Sequence, residues 1–232
     1  SERIYRATSP HGLMEIYASS YFHFAPGLSD MAALNLDETP SNAYYGMFFD
    51  SDGPQGVMKP IPERLTAYFR FMPMYYPFVL KQQPEVFVVQ FGGGISTNLA
   101  LRSGAKAVTV AEANPMVLNA LHDDARMAKL TGDILRDQRV SIIPYDGRLY
   151  VAGAQNKFDI VDLSLADSVG LSSPGGFAIT EKYSYTREAM RAYMRALKPG
   201  GVLSVTLWNK EEPAKSVLRL FATMVEAGRD ID

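Results

Sequence analysis

The chain has 232 residues and a mass of 25.6 kDa, and its 47% apolar and 21% charged content supports a real core while excluding wholesale disorder, collagen-like repeats and coiled coil. Twenty-three basic residues against 25 acidic ones leave a net charge of −2, so no electrostatic footprint for nucleic acid or an anionic membrane is expected. The absence of cysteine removes disulfides, thiolate zinc sites, iron–sulfur clusters and cysteine nucleophiles, and the three histidines, His11, His23 and His122, have no metal-ligand spacing, so no metal site is expected.

Up to residue 84 the sequence is rich in aromatic residues and breakers: Tyr17, Tyr21, Phe22, Phe24, Tyr44, Tyr45, Phe48 and Phe49 alternate with Pro40, Pro54, Pro60 and Pro62. Aromatic residues suit a pleated surface and proline interrupts helical bonding, so this part is expected to be a small β-rich region, with one helix starting at Glu63.

From residue 85 to the end, short apolar runs alternate with helical segments. The runs Val86–Phe91, Ala107–Ala111, Val140–Pro144, Phe158–Leu163 and Val202–Trp208 have the length of buried strands. Thr97–Arg102, Pro115–Leu130 and Thr186–Leu197 are expected as helices, the last stopped by Lys198-Pro199-Gly200-Gly201. Such alternation predicts an α/β fold, a doubly wound, mostly parallel sheet that binds ligands beyond the carboxyl ends of its strands. Val217, Leu218, Phe221, Met224 and Val225 form an apolar stripe at helical spacing, expected to dock on the chain's own sheet. No apolar run reaches the ~20 residues needed to span a bilayer. With Ser1 first and the last helix stopping near Asp232, both ends read as cut, and the sheet is expected to lack its final strands and to expose an edge that invites a second chain.

The first run leads directly into Gly92-Gly93-Gly94 and a helix. Glycines there let a ligand approach the backbone and permit the positive φ of a tight strand-to-helix turn. Glu112 ends the second run, where a carboxylate can accept hydrogen bonds from both hydroxyls of a ribose. A dinucleotide fingerprint would require glycine where Thr97 stands, which disfavours NAD. Asp146-Gly147 follows the third run, an acid that can contact an adenine amino group beside a residue that leaves room for the ring; taken alone, the pair is more simply explained as an ordinary turn.

The order VFVVQFGGG, AVTVAEANP, VSIIPYDGR, FDIVDLSLADSVG and ALKPGGVLSVTLW resembles class I S-adenosylmethionine-dependent proteins, most of all the spermidine synthase (aminopropyltransferase) branch, over residues 85 to 208. Within that branch, YTREAMRAYMRALKPGGVLSVTLW is similar to soluble domains appended to multi-spanning bacterial membrane proteins. The resemblance implies a Rossmann-like methyltransferase sheet, with Gln90, Gly92 and Gly94 in the cofactor loop, Glu112 on the ribose and Asp146 with Gly147 at the adenine. It implies S-adenosylmethionine or its decarboxylated form as cofactor, an amine acceptor, and a cytoplasmic location with a parent chain tethered to the inner membrane.

Departures from the family pattern matter as much. The aspartate that family members carry inside the glycine loop falls on Gly93 or Ile95, and the first of two acids after the fourth strand falls on Ser164, leaving only Asp167. A protonated diamine must lose a proton before it attacks, and serine is a poor acceptor for that proton. Asp162 lies two residues earlier on the same strand face and is a displaced base or, equally, a buried structural carboxylate. Asp167 and Asp162 are therefore the catalytic candidates, and Ser164 and Tyr76 the substrate candidates. Tyr75 and the aromatic residues from Tyr44 to Phe49 could line an amine pocket or simply pack. Ser172–Gly176 resembles the loop that closes over the site in the family, or is a long solvated connection. Aminopropyl transfer is the leading expectation; methyl transfer and a non-catalytic nucleoside-binding domain stay open, as does a homodimer.

Overall fold

The computed structural model describes residues 1–20, 27–40, 42–164, 184–207 and 212–231. Asp167 and the segment Ser172–Gly176 lie outside the described residues, as do Tyr21, Phe22, His23, Phe24 and Trp208.

The N-terminal region folds as a four-stranded antiparallel sheet in the order β1-β2-β3-β4, formed by Glu2–Ser9, Gly12–Ala18, Tyr44–Phe49 and Asp52–Met58. A short helix, α1 (Asp30–Ala33), precedes β3. Asp50 and Ser51 both take positive φ in the two-residue turn between β3 and β4, the backbone twist that matches a right-twisted hairpin. Asp50 also reaches across to accept the Leu13 N–H at 2.8 Å, tying one hairpin to the other. A run of 3-10 turns, Glu63–Phe71 and Pro73–Tyr75, then leads into α2 (Tyr76–Leu80). The single helix expected at Glu63 is thus wound more tightly, and Pro73 and Pro77 interrupt its continuation.

The second sheet is wholly parallel, in the order β7-β6-β5-β8-β9. In chain order its elements are β5 (Glu85–Val88), α3 (Ile95–Arg102), β6 (Ala107–Ala111), α4 (Pro115–Leu118), α5 (Ala125–Leu130), β7 (Val140–Ile143), α6 (Gly147–Ala152), β8 (Phe158–Ser164), α7 (Arg187–Ala196), β9 (Leu197–Thr206) and α8 (Lys215–Arg229). The strand order reverses at β5, which has β6 on one side and β8 on the other, so the crevice expected in such sheets opens beyond the carboxyl end of β5.

Three expected elements are cut differently by the structure. Pro115–Leu130 is broken into α4, a π-helical turn at Asn119–Asp123, and α5, because Asp124 takes an extended backbone and caps α5 by accepting the Met127 N–H. Lys198-Pro199-Gly200-Gly201 ends no helical turn of its own: α7 stops at Ala196, and these residues bulge at the start of β9, between the pairs Phe158↔Leu197 and Ile160↔Val202. The Lys198 ammonium turns to Glu85 at 2.9 Å and Asp159 at 3.2 Å rather than to the helix end. The apolar stripe expected on the last helix is mostly exposed; α8 docks through Leu220, Met224 and Ala227, and it packs chiefly against α7 and not on the sheet.

One cluster joins the two sheets. Met14, Ile16, Met47 and Val57 of the small sheet are buried with Val86, Val88, Val108, Val110 and Ile160 of the large one. On the opposite face of the large sheet, Phe87 stacks on Phe158 with 5.2 Å between ring centroids, backed by Met190 and Tyr193 of α7. The two sheets therefore share one core.

Candidate functional site

The glycine turn is built from both sheets. After β5 the backbone keeps two more contacts, Val89 N–H donating to the Asp162 carbonyl at 2.9 Å and Phe91 N–H to the Ala111 carbonyl at 2.8 Å. Gly92 and Gly94 then take φ of 62° and 91°, conformations that side chains disfavour, and Gly94 precedes α3 directly. Asn98, one turn into α3, donates from Nδ2 to the Gly94 carbonyl at 2.9 Å and holds the turn from above.

Gly93 has a different reason to be glycine. A Cβ there would lie 1.5 Å from the Gly56 carbonyl oxygen in β4, and the Met58 N–H donates to the Gly93 carbonyl at 2.9 Å. Gly46 lies opposite Gly56 across the β3–β4 ladder, so two small residues open the space into which the loop fits. No side chain can therefore project from Gly93, and Ile95, the other position where a loop aspartate would fall, is fully buried with Leu99, Met72 and Met74.

Glu112 lies at the carboxyl end of β6, 5% exposed. Its carboxylate accepts the backbone N–H groups of Asn114, at 2.9 Å, and of Gly92. Burial pushes its pKa up to about 7, against the pull of those two bonds. The acid and the glycine loop are thus joined directly. A carboxylate offers about four lone-pair positions and two are in use here, so it can still accept from ligand hydroxyls.

Asp146 caps α6, its carboxylate accepting the Arg148 N–H at 2.9 Å and pairing with the Arg148 guanidinium at 2.9 Å. Burial opposes its charge, but the Arg148 side chain and backbone outweigh that and hold the carboxyl below its ordinary range. Gly147 is small for a packing reason that the sequence did not reveal. A Cβ would meet the Val89 carbonyl oxygen at 2.3 Å and the Ala111 methyl at 3.2 Å, so helix α6 can approach the end of β5 only through glycine. Gln90, by contrast, is exposed at the mouth of the turn.

Asp162 and Ser164 point to one face of β8, where pairing with Ser204 and Thr206 of β9 is regular from Ile160 onward. Asp162 is buried and accepts the Ser96 hydroxyl at the start of α3, while its Oδ2 has no partner among the described residues. Burial pushes its carboxyl up to about 7 despite Ser96. Thr97, fully buried, likewise leaves its Oγ1 without a partner among the described residues. Sequence reading missed Ser96 as the partner of Asp162 and Thr97 as a buried hydroxyl; their signal was their position in the first turn after the loop. It also missed Arg148, Asn98 and Gly56, of which Gly56 had no local signal at all.

Tyr76 is 74% exposed at the start of α2, whereas Tyr75 packs against the cluster that holds Ile95 and Leu99. Tyr44 and Met47 are core residues, Tyr17 and Phe48 meet edge to face at 5.7 Å, and Lys59 lies 4.5 Å over the Tyr45 ring, all of which is packing. A cleft of about 500 Å³ lined by Asn156, Arg195, Lys198 and Asp230 opens at the amino end of the sheet, away from every residue of the loop. Among the described residues no group of His, Asp or Glu is placed to hold a metal ion.

No family model matches the chain. Over 162 residues it is 32% identical to the polyamine aminopropyltransferase of Nitrosomonas europaea, an alignment that takes in 68% of this chain and 46% of that protein. The chain thus spans about half the length of the curated relative it matches. Its backbone overlays a crystal structure of spermidine synthase in complex with the transition-state analogue AdoDATO with a TM-score of 0.64 at 18% identity, covering 97% of this chain and 64% of that one. Spermidine synthase from Thermotoga maritima overlays with a TM-score of 0.59 at 16% identity, with the same coverages. At such identities the overlays describe a common fold.

Proposed function

Because this chain is a spermidine synthase homologue, we propose that it is a transferase that binds S-adenosylmethionine or its decarboxylated form and passes an aminopropyl group to an amine. The observation that carries the proposal is the union of Glu112 with Gly92: a ribose-accepting carboxylate hydrogen-bonded to the turn that would face the nucleoside. Gly92 and Gly94 bring backbone close to the ligand, Gln90 stands at the mouth, and Asp146 with Gly147 borders the adenine.

A sulfonium makes its attached carbon electrophilic, so the protein's share is to orient the nucleophile and take its proton. Ser164 offers the acceptor a hydroxyl at the strand end. Asp162, on the same face and with a carboxyl near neutrality, is the described group best suited to accept the proton, and Asp167 and Tyr76 complete the substrate-side proposal. The division into a β-rich region, residues 1–84, and a nucleoside-binding region, residues 85–232, belongs to the same reading. So do a cytoplasmic location and a membrane-embedded parent chain, which rest on sequence resemblance; no helix among the described residues is long and apolar enough to cross a membrane.

Gly93 favours a second reading. Its contact with Gly56 leaves no room for a loop carboxylate that would recognise a cofactor amine, which suits methyl transfer from S-adenosylmethionine, or nucleoside binding without transfer.

Two measurements separate these. Calorimetry with methylthioadenosine should show Glu112→Ala losing about 1.5 to 3 kcal/mol of affinity with the fold retained, and equal affinity in parent and variant would overturn the ribose assignment. Turnover of putrescine with decarboxylated S-adenosylmethionine should run ~100-fold to 10,000-fold below an ordinary enzyme rate of ~10 per second, since Ser164 stands where the family has its first acid and Asp162 lies two residues deeper in the strand. A rate near 10 per second would refute the reading of Ser164 and Gly93, and a larger thermal shift with NAD than with any adenosyl sulfonium would refute the nucleoside assignment.

A further inference from the structure

The carboxyl of Asp162 is held from a different element than its own strand. In the parallel ladders Asp162 stands level with Val88 of β5 and Ser204 of β9, and its side chain falls on the sheet face that carries Val86, Val88 and Ile160. Helix α3 begins directly after the glycine turn with Gly94 as its cap, a residue that has no side chain to offer the helix. The second residue of α3, Ser96, is buried and donates its hydroxyl to Asp162 in β8. Asp162 Oδ2 has no partner among the described residues, so this bond falls on the other oxygen.

Among the described residues no charged group acts on this carboxyl. On α3 the one cation, Arg102, lies in the last turn and pairs with Glu63 at 3.3 Å. Tyr75 packs in the cluster of Ile95 and Leu99, and Tyr5 and Tyr45 of the small sheet border the shared core, where burial raises the pKa of both hydroxyls and keeps them neutral. Behind the opposite face Tyr193 of α7 donates to the Ser184 carbonyl, and Asp159, at the amino end of β8, is held by Lys198 at 3.2 Å. Desolvation pushes the Asp162 carboxyl up and Ser96 alone opposes it. A donor to the charged form of a carboxyl favours that form, so one hydroxyl governs how readily Asp162 takes a proton.

We propose that Ser96 is a positioning residue for proton transfer: its hydroxyl holds one oxygen of Asp162 and leaves Oδ2 to take the proton that the acceptor amine gives up. This rests on the transfer reaction proposed above and on Asp162 as its proton acceptor. In that step the amine nitrogen forms a bond to the cofactor's carbon, the carbon–sulfur bond breaks with its electron pair left on sulfur, and the proton lost from nitrogen ends on Oδ2. Ser96 keeps its own proton throughout. The bond also ties the base to the cofactor loop, because Ser96 lies two residues beyond Gly94, in the turn that Asn98 fastens at 2.9 Å.

Carbon NMR of the chain with labelled aspartate carboxyls, the Asp162 signal assigned by its loss in Asp162→Asn, reads the bond directly. Ser96→Ala should raise the Asp162 pKa by about 1 to 2 pH units over the parent, and Ser96→Thr, which keeps a hydroxyl, should titrate within about half a pH unit of it. Putrescine transfer from decarboxylated S-adenosylmethionine is the second readout, taken as the ratio of variant to parent so that titration of the amine cancels. Ser96→Ala should run ~10-fold or more below the parent at about pH 7 and recover to within ~3-fold at about pH 9.5, where both carry the carboxylate. An unchanged titration of Asp162 in Ser96→Ala overturns the proposal, and so does a rate loss equal at every pH, which marks a merely structural residue. Asp162→Asn as active as the parent removes Asp162 as acceptor and this inference with it. A slow Asp162→Asn beside a Ser96→Ala that titrates like the parent defeats this inference and spares the transferase reading. A parent that transfers to no amine defeats the transferase reading instead, and the carbon titration then decides by itself whether Ser96 governs the proton on Asp162.

Discussion

Glu112 at the end of β6 and Asp162 in β8 are both buried carboxyls pushed up to about 7 by desolvation, yet their surroundings differ. Glu112 is met by two backbone N–H groups and anchors the glycine turn. Asp162 has one hydroxyl, Ser96, and an oxygen with no partner among the described residues. Burial alone raises the pKa of each; what separates them is whether the backbone supplies donors. A carboxyl with donors is part of the scaffold as well as of the site, and one without them is held at a cost that function can use.

The largest effect expected along that divide is at the loop that Glu112 anchors. Gly93→Ala must move either the turn or β4, because its methyl would overlap the Gly56 carbonyl, and a loss of about 4 kcal/mol or more in urea unfolding is expected. A loss under about 1 kcal/mol would show that the small sheet does not clamp the turn.

Next comes pH. The folded-state pKa values of Asp162 and Glu112 lie above their ordinary 3.8 and 4.5, so folding is favoured by protonation. Their contribution is complete below about pH 4 and is lost as pH rises through about 7. Asp162→Asn removes its share of that loss and should stabilise the protein at pH 8, on the order of a few kcal/mol, with little change at pH 4. Greater destabilisation at pH 8 than at pH 4 would mean that Asp162 has a charged partner and the contrast with Glu112 is false.

Glu112→Gln sharpens the comparison from the other side. Its amide would turn a donor toward one of two backbone donors, so unfolding at neutral pH should become easier by about 1 to 3 kcal/mol, the opposite sign to Asp162→Asn. The smallest effect is at Asn98→Ala, which removes one bond to the Gly94 carbonyl and should cost about 1 kcal/mol, read from the denaturation midpoint.

Much of this molecule was legible in its residues. Alternation of apolar runs with helical segments gave the parallel sheet from β5 to β9, because strand and helix periods are local properties of a chain. Gly92, Gly94 and Glu112 were legible for the same reason: a positive φ and a strand-terminal acid are demands of single positions. Asn114 and Asp124 carried capping signals, though the break they impose on the segment 115–130 was overlooked.

Only the tertiary structure decided why Gly93 and Gly147 are glycine, since the backbone atoms that exclude a side chain come from Gly56 and Val89, far away in sequence. It likewise decided which face of α8 is buried. The 3.6-residue period identifies apolar positions, and α8 has two apolar sides; the surface of α7 selected Leu220, Met224 and Ala227 over Leu218 and Phe221. The sequence by itself determined the elements, the turn and the acid beside it, because these follow from local conformational preference. Their contacts were decided by packing, in which each residue's environment is set by chain that pattern and spacing do not connect to it.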